Sequence, residues 1–173
     1  MDRRRRRGAA ILFGAAIAIL LLDRLTKLWA EHAWSERPFD VIPGVLTLRF
    51  TTNSGGAFSL GQRAPWLFAG ATIAVAVTIV VTAFRHDRAD IALGLGLILG
   101  GAMGNLADRA LRGSGLTGRV VDWIDIHVWP VFNLADSAIV IGALLLVLAS
   151  LRDARRHAPP PDRVEPDGTP GGG

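Results

Sequence analysis

The chain has 173 residues, a length that suits one domain, and half of its residues are hydrophobic, with a mean hydropathy of +0.36. Its 19 Lys and Arg outnumber its 15 Asp and Glu, which gives a formal net charge of +4. Because there is no Cys and no Tyr, a thiol nucleophile, a disulfide framework and a cysteine metal site are excluded, and acid–base chemistry must use Asp, Glu, His, Lys or Arg.

Long apolar stretches in chain order predict four membrane-spanning helices, since a bilayer core requires about 20 apolar residues per span. The first stretch follows a basic N-terminus, so a cleavable signal peptide is an alternative interpretation. Three further stretches follow, however, and the charged segment Asp23–Lys27 stands where a small-residue cleavage site would be expected. The four predicted spans cover residues 8–29, 64–84, 91–107 and 131–151.

The distribution of arginine predicts the orientation in the membrane. Arg3–Arg7 lies directly before the first span, which is typical of a cytoplasmic helix end rather than of a nucleic-acid-binding patch. With the N-terminus inside, the Arg85–Arg88 loop and the arginines at 152, 155 and 156 also fall inside. All five Trp residues then lie near the outer interface, where Trp is enriched. We therefore expect cytoplasmic termini and no nucleic-acid partner.

Two segments outside the spans have different compositions. Asp40–Leu60 is rich in β-prone residues and contains a Pro-Gly turn, which predicts a small sheet resting on the outer membrane surface. Leu111–Trp129 begins with glycines and then becomes apolar, which predicts a flexible loop leading into a short interfacial element. The Pro- and Gly-rich tail, residues 157–173, is expected to be disordered, so residues 1–156 form a single membrane domain.

Charged side chains inside predicted spans are the main functional signal, because each costs roughly 2.5–3.5 kcal/mol on insertion scales. Asp23 and Lys27 are spaced i, i+4, and we favour an intrahelical ion pair that holds the helix end beside a site. In the third span, Asn105, Asp108 and Arg109 share a helix face. A polar helix cap explains Asp108 well but explains Asn105 and Arg109 together less well. Glycines repeating every four residues allow another helix to approach this span closely: Gly96, Gly100 and Gly104.

Two further carboxylates suggest a chemistry. Asp136 lies about one turn into an apolar helix, where a lone carboxylate needs a partner. Asp122 lies in the preceding loop, where an ordinary interfacial carboxylate is an alternative interpretation. If the two approach each other in a partly dry site they share a proton, so that one acts as a base toward water and the other as an acid toward a carbonyl. This is the arrangement of an aspartic protease.

Five motifs, in this order, resemble the signature blocks of lipoprotein signal peptidases (signal peptidase II). Each block alone is weak, but five in order across four spans are highly specific, and the resemblance covers about residues 8–152. One mild departure is Trp123, which stands where the family often has Phe. The blocks are Asp23–Lys27 (DRLTK), Asn53–Phe58 (NSGGAF), Gly100–Arg109 (GGAMGNLADR), Val120–Ile124 (VVDWI) and Phe132–Asp136 (FNLAD).

The resemblance implies an intramembrane aspartic endopeptidase that removes the signal peptide from bacterial prolipoproteins, cutting just before a cysteine modified with diacylglycerol. It implies a site near the outer face of the cytoplasmic membrane, a lipid-modified substrate, contact with membrane lipids, and no metal or organic cofactor. The four His residues are scattered without metal-ligand spacing, and we expect a monomer. By motif position, the implied catalytic pair is Asp122 and Asp136; Asn53, Asn105, Arg109 and Asn133 bind substrate or orient the pair; and Asp23, Lys27 and Asp108 support the site.

Two other classes of protein are alternatives. A small ion-coupled transporter also carries intramembrane Asp and Arg, but it requires polar residues through the full membrane depth, whereas Val75–Val81 and Ile141–Leu148 are apolar throughout. A non-catalytic assembly factor would use the glycine face. It gives no reason for carboxylates, Asn105 and Arg109 to gather at one depth.

Overall fold

The computed structural model describes residues 2–54 and 65–156. It is mainly helical, and a small antiparallel sheet lies at one end of the helices. A short 3-10 turn at Ala83–Arg85 follows the second helix. The helices are α1 (Arg3–Trp34), α2 (Pro65–Thr82), α3 (Ala89–Leu111) and α4 (Leu134–Arg156), and the strands are β1 (Phe39–Ile42), β2 (Leu46–Asn53) and β3 (Val120–Asp125).

Three of the helices in the described part of the chain, α1, α3 and α4, are long and apolar enough to cross a membrane. The 32 residues of α1 extend about 48 Å at 1.5 Å per residue, more than the ~30 Å of a bilayer core. The helix begins within the Arg3–Arg7 cluster, which forms its first turns. The Asp2 side chain caps this end by accepting a hydrogen bond from the Arg4 backbone N–H. The apolar helix α2 has 18 residues, and its role as a fourth span stays a prediction.

Glycines let the helices pack at close range. A Cβ added at Gly96 or Gly100 would lie 2.5 or 2.6 Å from the α1 carbonyl oxygens of Leu12 and Ala16. This confirms the close approach predicted for the four-residue glycine repeat and identifies α1 as the partner. A second glycine face, which we did not predict, packs α3 against α4 through Gly94, Gly101 and Gly142.

The chain direction places the sheet at the C-terminal ends of α1 and α3. At the opposite end, Gly8 packs against the His86 carbonyl, and Arg88 forms an ion pair with Asp153 of α4. All five Trp residues belong to the sheet end of the helices or to the connections there, and Trp34 stacks on Trp123 with ring centroids 5.8 Å apart. The two ends of the bundle thus differ in composition as the sequence predicted.

The sheet has the strand order β1-β2-β3, and both pairings are antiparallel. The strands predicted within Asp40–Leu60 are confirmed for β1 and β2, while residues 55–60 lie outside the described residues. The short element predicted within Leu111–Trp129 is the strand β3, which pairs with β2, and its location at the membrane interface stays a prediction. The predicted disorder of the tail, residues 157–173, also concerns residues outside the described part.

Candidate active site

A buried ion cluster lies where α1 meets α3. The Lys27 side chain is fully buried, and its Nζ lies 2.8 Å from Asp23 Oδ2, 2.9 Å from Asp108 Oδ2 and 3.0 Å from Asn105 Oδ1. An ammonium group has three protons, so these three acceptors satisfy it completely. The predicted Asp23–Lys27 pair therefore forms, but as part of a cluster that also includes α3.

Further charges around this cluster balance it. Asp108 Oδ1 lies 3.1 Å from the Arg24 guanidinium and 3.5 Å from Arg112 Nε, and Arg112 binds both oxygens of Glu31 at 3.2 and 2.6 Å. Together with Lys27 and Asp23, the cluster holds three carboxylates and three cations, which is how charges are tolerated away from water. The sequence motifs did not single out Arg24, Glu31 or Arg112, although the i, i+4 spacing of Asp108 and Arg112 was a usable signal.

The N-terminus of α4 is capped by residues of the site itself. Asn133 Oδ1 accepts the backbone N–H of Asp136 at 3.0 Å, and Asp136 Oδ2 accepts the backbone N–H of Asn133 at 3.3 Å. This reciprocal arrangement is a capping box. Asp23 Oδ1 accepts the next free N–H, that of Ala135, at 3.0 Å. The ion cluster is thereby joined directly to the helix start that carries Asp136.

Asn133 is fully buried and connects the two predicted catalytic carboxylates. Its Nδ2 donates to Asp122 Oδ1 at 2.7 Å and to the Val121 carbonyl at 3.1 Å, while its Oδ1 and backbone N–H hold Asp136. Asn105 completes the network, since its Nδ2 donates to Asp136 Oδ1 at 2.8 Å. One amide side chain thus fixes the relative position of Asp122 on β3 and Asp136 on α4.

The environment of Asp122 favours its protonated form. Burial and, to a smaller extent, the nearby charge of Asp136 raise its pKa from an ordinary value of 3.8 to about 7, against hydrogen bonds from Asn133 and Asn53 that lower it. The Lys27 charge also lowers it, as the smallest of these effects. Asp122 therefore keeps its proton to a much higher pH than an ordinary carboxyl group does.

A cavity of about 240 Å³ opens in front of the two carboxylates. Arg109 lines it and is largely buried; its guanidinium donates to the Asn105 carbonyl at 3.2 Å, while Nε has no partner among the described residues. Trp129 also lines the cavity and was not predicted as a site residue. The complete lining is Asn53, Asn105, Arg109, Val120, Asp122, Trp129, Pro130, Val131, Phe132 and Asp136.

The structure divides the predicted site residues into two adjoining groups. The first faces the cavity or bridges its carboxylates: Asn53, Asn105, Arg109, Asp122, Asn133 and Asp136. The second forms the ion cluster behind it: Asp23, Lys27 and Asp108. Asn105 joins the two groups, since its Oδ1 and Asp108 Oδ2 both accept from Lys27 Nζ. Asp108 also accepts the Val121 backbone N–H at 3.1 Å.

An apolar groove of about 410 Å³ adjoins the cavity at Asp136 and follows the outer face of α4. Its walls combine the segment after β3 with the first turns of that helix, and the surface is almost entirely nonpolar. It is lined by Ile126, Trp129, Phe132, Asp136, Ser137, Val140 and Ile141. A polar cavity with two carboxylates and a contiguous apolar groove suits hydrolysis of a substrate that is partly embedded in lipid.

Comparison with known proteins agrees with this geometry. A family model described as signal peptidase (SPase) II matches residues 15–152. A lipoprotein signal peptidase of Rhodococcus jostii is 40% identical over 161 residues, covering 92% of this chain and 76% of the relative. One of Syntrophomonas wolfei is 40% identical over 147 residues, covering 84% and 95%. A solved structure of a bacterial membrane enzyme is 27% identical with a TM-score of 0.73, covering 88% of this chain and 94% of that one.

Proposed function

This chain belongs to the signal peptidase II family, and we propose that it cleaves the signal peptide from lipid-modified prolipoproteins by aspartic-protease chemistry at Asp122 and Asp136. It is an integral membrane peptidase. The observation that carries the catalytic assignment is the bridge through Asn133, which holds Asp122 and Asp136 at the same cavity. Cleavage occurs just before the cysteine that carries the diacylglyceryl group.

The two carboxylates take different roles. Asp136 acts as the base, since hydrogen bonds from Asn105 and from the Asn133 backbone hold its two oxygens in place beside the cavity. It removes a proton from a water molecule, whose oxygen attacks the scissile carbonyl carbon. Asp122 delivers its proton to the carbonyl oxygen. Collapse of the tetrahedral species returns that proton to Asp122 and transfers the proton on Asp136 to the departing amine.

Arg109 supplies charge balance for this mechanism. A pair of carboxylates that shares one proton carries a single negative charge, and Arg109 lies within electrostatic range of both members. Arg109 also lines the cavity, which places its guanidinium where it can donate to a substrate carbonyl. Asn53, which hydrogen-bonds Asp122, orients the acid. The ion cluster of Asp23, Lys27 and Asp108 supports the site from behind.

The membrane arrangement follows from the same proposal. The chain has four spans with both termini in the cytoplasm, the sheet rests on the outer surface of a bacterial cytoplasmic membrane, and the protein works as a monomer. The apolar groove at Asp136 opens along α4, so a substrate anchored in the bilayer reaches the carboxylates sideways. Basic residues at Arg3–Arg7 and at the end of α4 support this orientation. Reporter fusions at the tail and within Arg85–Arg88 should both report a cytoplasmic location, and an outside signal at either place would refute the four-span arrangement.

The decisive experiment is cleavage of a lipidated prolipoprotein by the purified protein, read by mass spectrometry of the new N-terminus. The expected product begins at the lipid-modified cysteine. The same precursor without lipid should be cut poorly, because it lacks the group that engages the membrane-embedded surface. Equal cleavage of both precursors would contradict the substrate assignment while leaving the carboxylate chemistry intact. Absence of cleavage of the lipidated precursor would refute the proposed function.

A further inference from the structure

The buried hydroxyl of Thr47 in the sheet hydrogen-bonds His127, a residue outside the catalytic network. Thr47 lies in the middle strand opposite Asp40 of β1 and Asp125 of β3, and its side chain is buried. Its Oγ1 donates to Asp40 Oδ1 at 2.6 Å and lies 2.9 Å from His127 Nε2. A hydroxyl has one proton, which is committed to the carboxylate, so the His127 ring must donate through Nε2–H. Thr47 therefore connects the His127 side chain to the middle strand β2, which pairs with β1 on one side and β3 on the other.

The backbone at His127 is held in an unfavourable conformation. Its φ is 61°, and the Val128 N–H donates to the Ile126 carbonyl at 2.7 Å, so His127 is the central residue of a γ-turn of the rarer, strained form. Such a conformation persists only when the surroundings hold it. Here the His127 N–H donates to Asp125 Oδ1 at 2.9 Å, and the other Asp125 oxygen pairs with Arg49 at 2.8 Å.

The turn begins the segment that walls the cavity, residues 126–131, which we call the wall loop. Its far end is fixed where Ile124 and Phe132 exchange backbone hydrogen bonds of 2.9 and 3.0 Å. Between these points, Trp129 faces both the catalytic cavity and the apolar groove. The two carboxylates, in contrast, are held by Asn133 and Asn105, which lie outside the wall loop.

We propose that Thr47 is a positioning residue for substrate binding: through His127 it fixes the wall loop so that Trp129 stands between the polar cavity and the apolar groove. The inference rests on the proposed function for its substrate. Loss of the hydroxyl should weaken substrate binding and leave the chemical step intact, because nothing that holds Asp122 or Asp136 is disturbed. Such a change raises KM without lowering kcat.

The test compares Thr47→Val, which keeps the side-chain shape but loses the hydroxyl, with Thr47→Ser, which keeps the hydroxyl. On a lipidated prolipoprotein, Thr47→Val should raise KM roughly fivefold to tenfold with kcat within about twofold of the parent, as expected for loss of one or two hydrogen bonds. Thr47→Ser should restore KM. Thr78→Val is the matched control, since Thr78 is on α2 and its hydroxyl bonds only its own helix at Ala74.

Amide hydrogen exchange of the same variants measures how firmly the wall loop is held, without any substrate. Thr47→Val should speed amide exchange in peptides covering residues 126–131, and Thr47→Ser should not. Unchanged exchange in Thr47→Val overturns the proposal, as does an unchanged KM or a loss confined to kcat. If Thr47→Val speeds exchange but the parent protein cleaves no lipidated precursor, the proposed function is refuted while the structural coupling of Thr47 to the wall loop stands.

Discussion

Replacing Asp122 by Asn should abolish activity and also stabilise the protein at neutral and alkaline pH. Asn matches the carboxyl group in shape but transfers no proton, so cleavage should fall by at least about a hundredfold. The effect on stability follows from burial. The folded protein raises the pKa of Asp122 to about 7, whereas the unfolded chain keeps the ordinary value of 3.8. Holding this carboxyl group in place therefore lowers the free energy of unfolding wherever the unfolded chain can ionise it.

The sign and size of the effect follow from proton linkage. Between pH 4 and pH 7 the folded state retains a proton that the unfolded state has lost, so stability falls as pH rises, by about 1.4 kcal/mol per pH unit. Below this window both states are protonated, and above it both are ionised, so the dependence ends. The gap between about 7 and 3.8 corresponds to about 4 kcal/mol. Asp122→Asn removes this loss of stability. The gain in its free energy of unfolding over the parent should therefore be absent at pH 4 and complete above pH 7.

Thermal unfolding in detergent micelles at pH 4, 6 and 8 measures this dependence. For a chain of this length, 1 kcal/mol corresponds to roughly 2–4 °C in Tm. Asp122→Asn should therefore exceed the parent by on the order of 10 °C at pH 8 and match it at pH 4. Asp87→Asn is the control, since Asp87 is an exposed carboxyl at the opposite end of the bundle, and it should leave both Tm and activity unchanged.

Two results would refute the reasoning. A Tm difference between Asp122→Asn and the parent that is the same at pH 4 and pH 8 would mean that the carboxyl is not held protonated by burial. Retention of near-normal turnover would make Asp122 a structural carboxylate and remove it from the proposed mechanism.

Three further predictions concern the network behind the carboxylates. Asn133→Ser keeps a good helix cap but loses the donor that lowers the pKa of Asp122, so the alkaline limb of the pH profile of kcat/KM should move to higher pH. Gly104→Ala places a Cβ 2.5 Å from Asp23 Oδ2, which should cost about 1–3 kcal/mol of stability by overpacking and reduce turnover by displacing the cap of α4. Lys27→Met leaves buried carboxylates without their shared cation and should lower the free energy of unfolding by about 3–5 kcal/mol in a denaturant titration.

Each of these predictions has a clear contrary outcome. An alkaline limb that stays in place in Asn133→Ser would mean that the bond to Asp122 does not set its protonation. Gly14→Ala is the matched control for Gly104→Ala, since a Cβ there meets nothing within 4 Å; equal effects of the two changes would remove the steric argument. Lys27→Met with parental stability would show that the buried ion cluster contributes no net stabilisation.

Part of the fold could be predicted from local properties of the chain. Membrane helices follow from uninterrupted apolar length, and the three longest, α1, α3 and α4, were predicted to within a few turns of their ends. Close helix approach followed from the four-residue glycine repeat, because its members fall on one face of any α-helix. The β-prone residues before Asn53 likewise indicated strands. Each of these signals depends on composition or periodicity within one element.

The predicted site residues also gather in one region, although their catalytic roles stay predictions. Motif order was sufficient to select them, since the same polar residue types recur at the outer ends of separate spans. Periodicity grouped Asp108 with Asn105 and Arg109, but of these three only Asn105 and Arg109 line the cavity, while Asp108 pairs with Lys27 and Arg24. A helical face is about a third of the circumference, so sequence spacing does not separate a side chain that enters a cavity from one that enters the adjacent helix interface.

The sequence alone thus determined the elements, their chemistry and the absence of a thiol. Tertiary structure decided which groups meet: β3 joins β2 by pairing Val120 with Asn53, far apart in the chain, and Asp23 caps α4 across 112 residues. It also decided that Asn133 bridges the two carboxylates. These outcomes depend on long-range geometry and on desolvation, which raises the pKa of Asp122 only after the elements have packed. No local pattern contains that information.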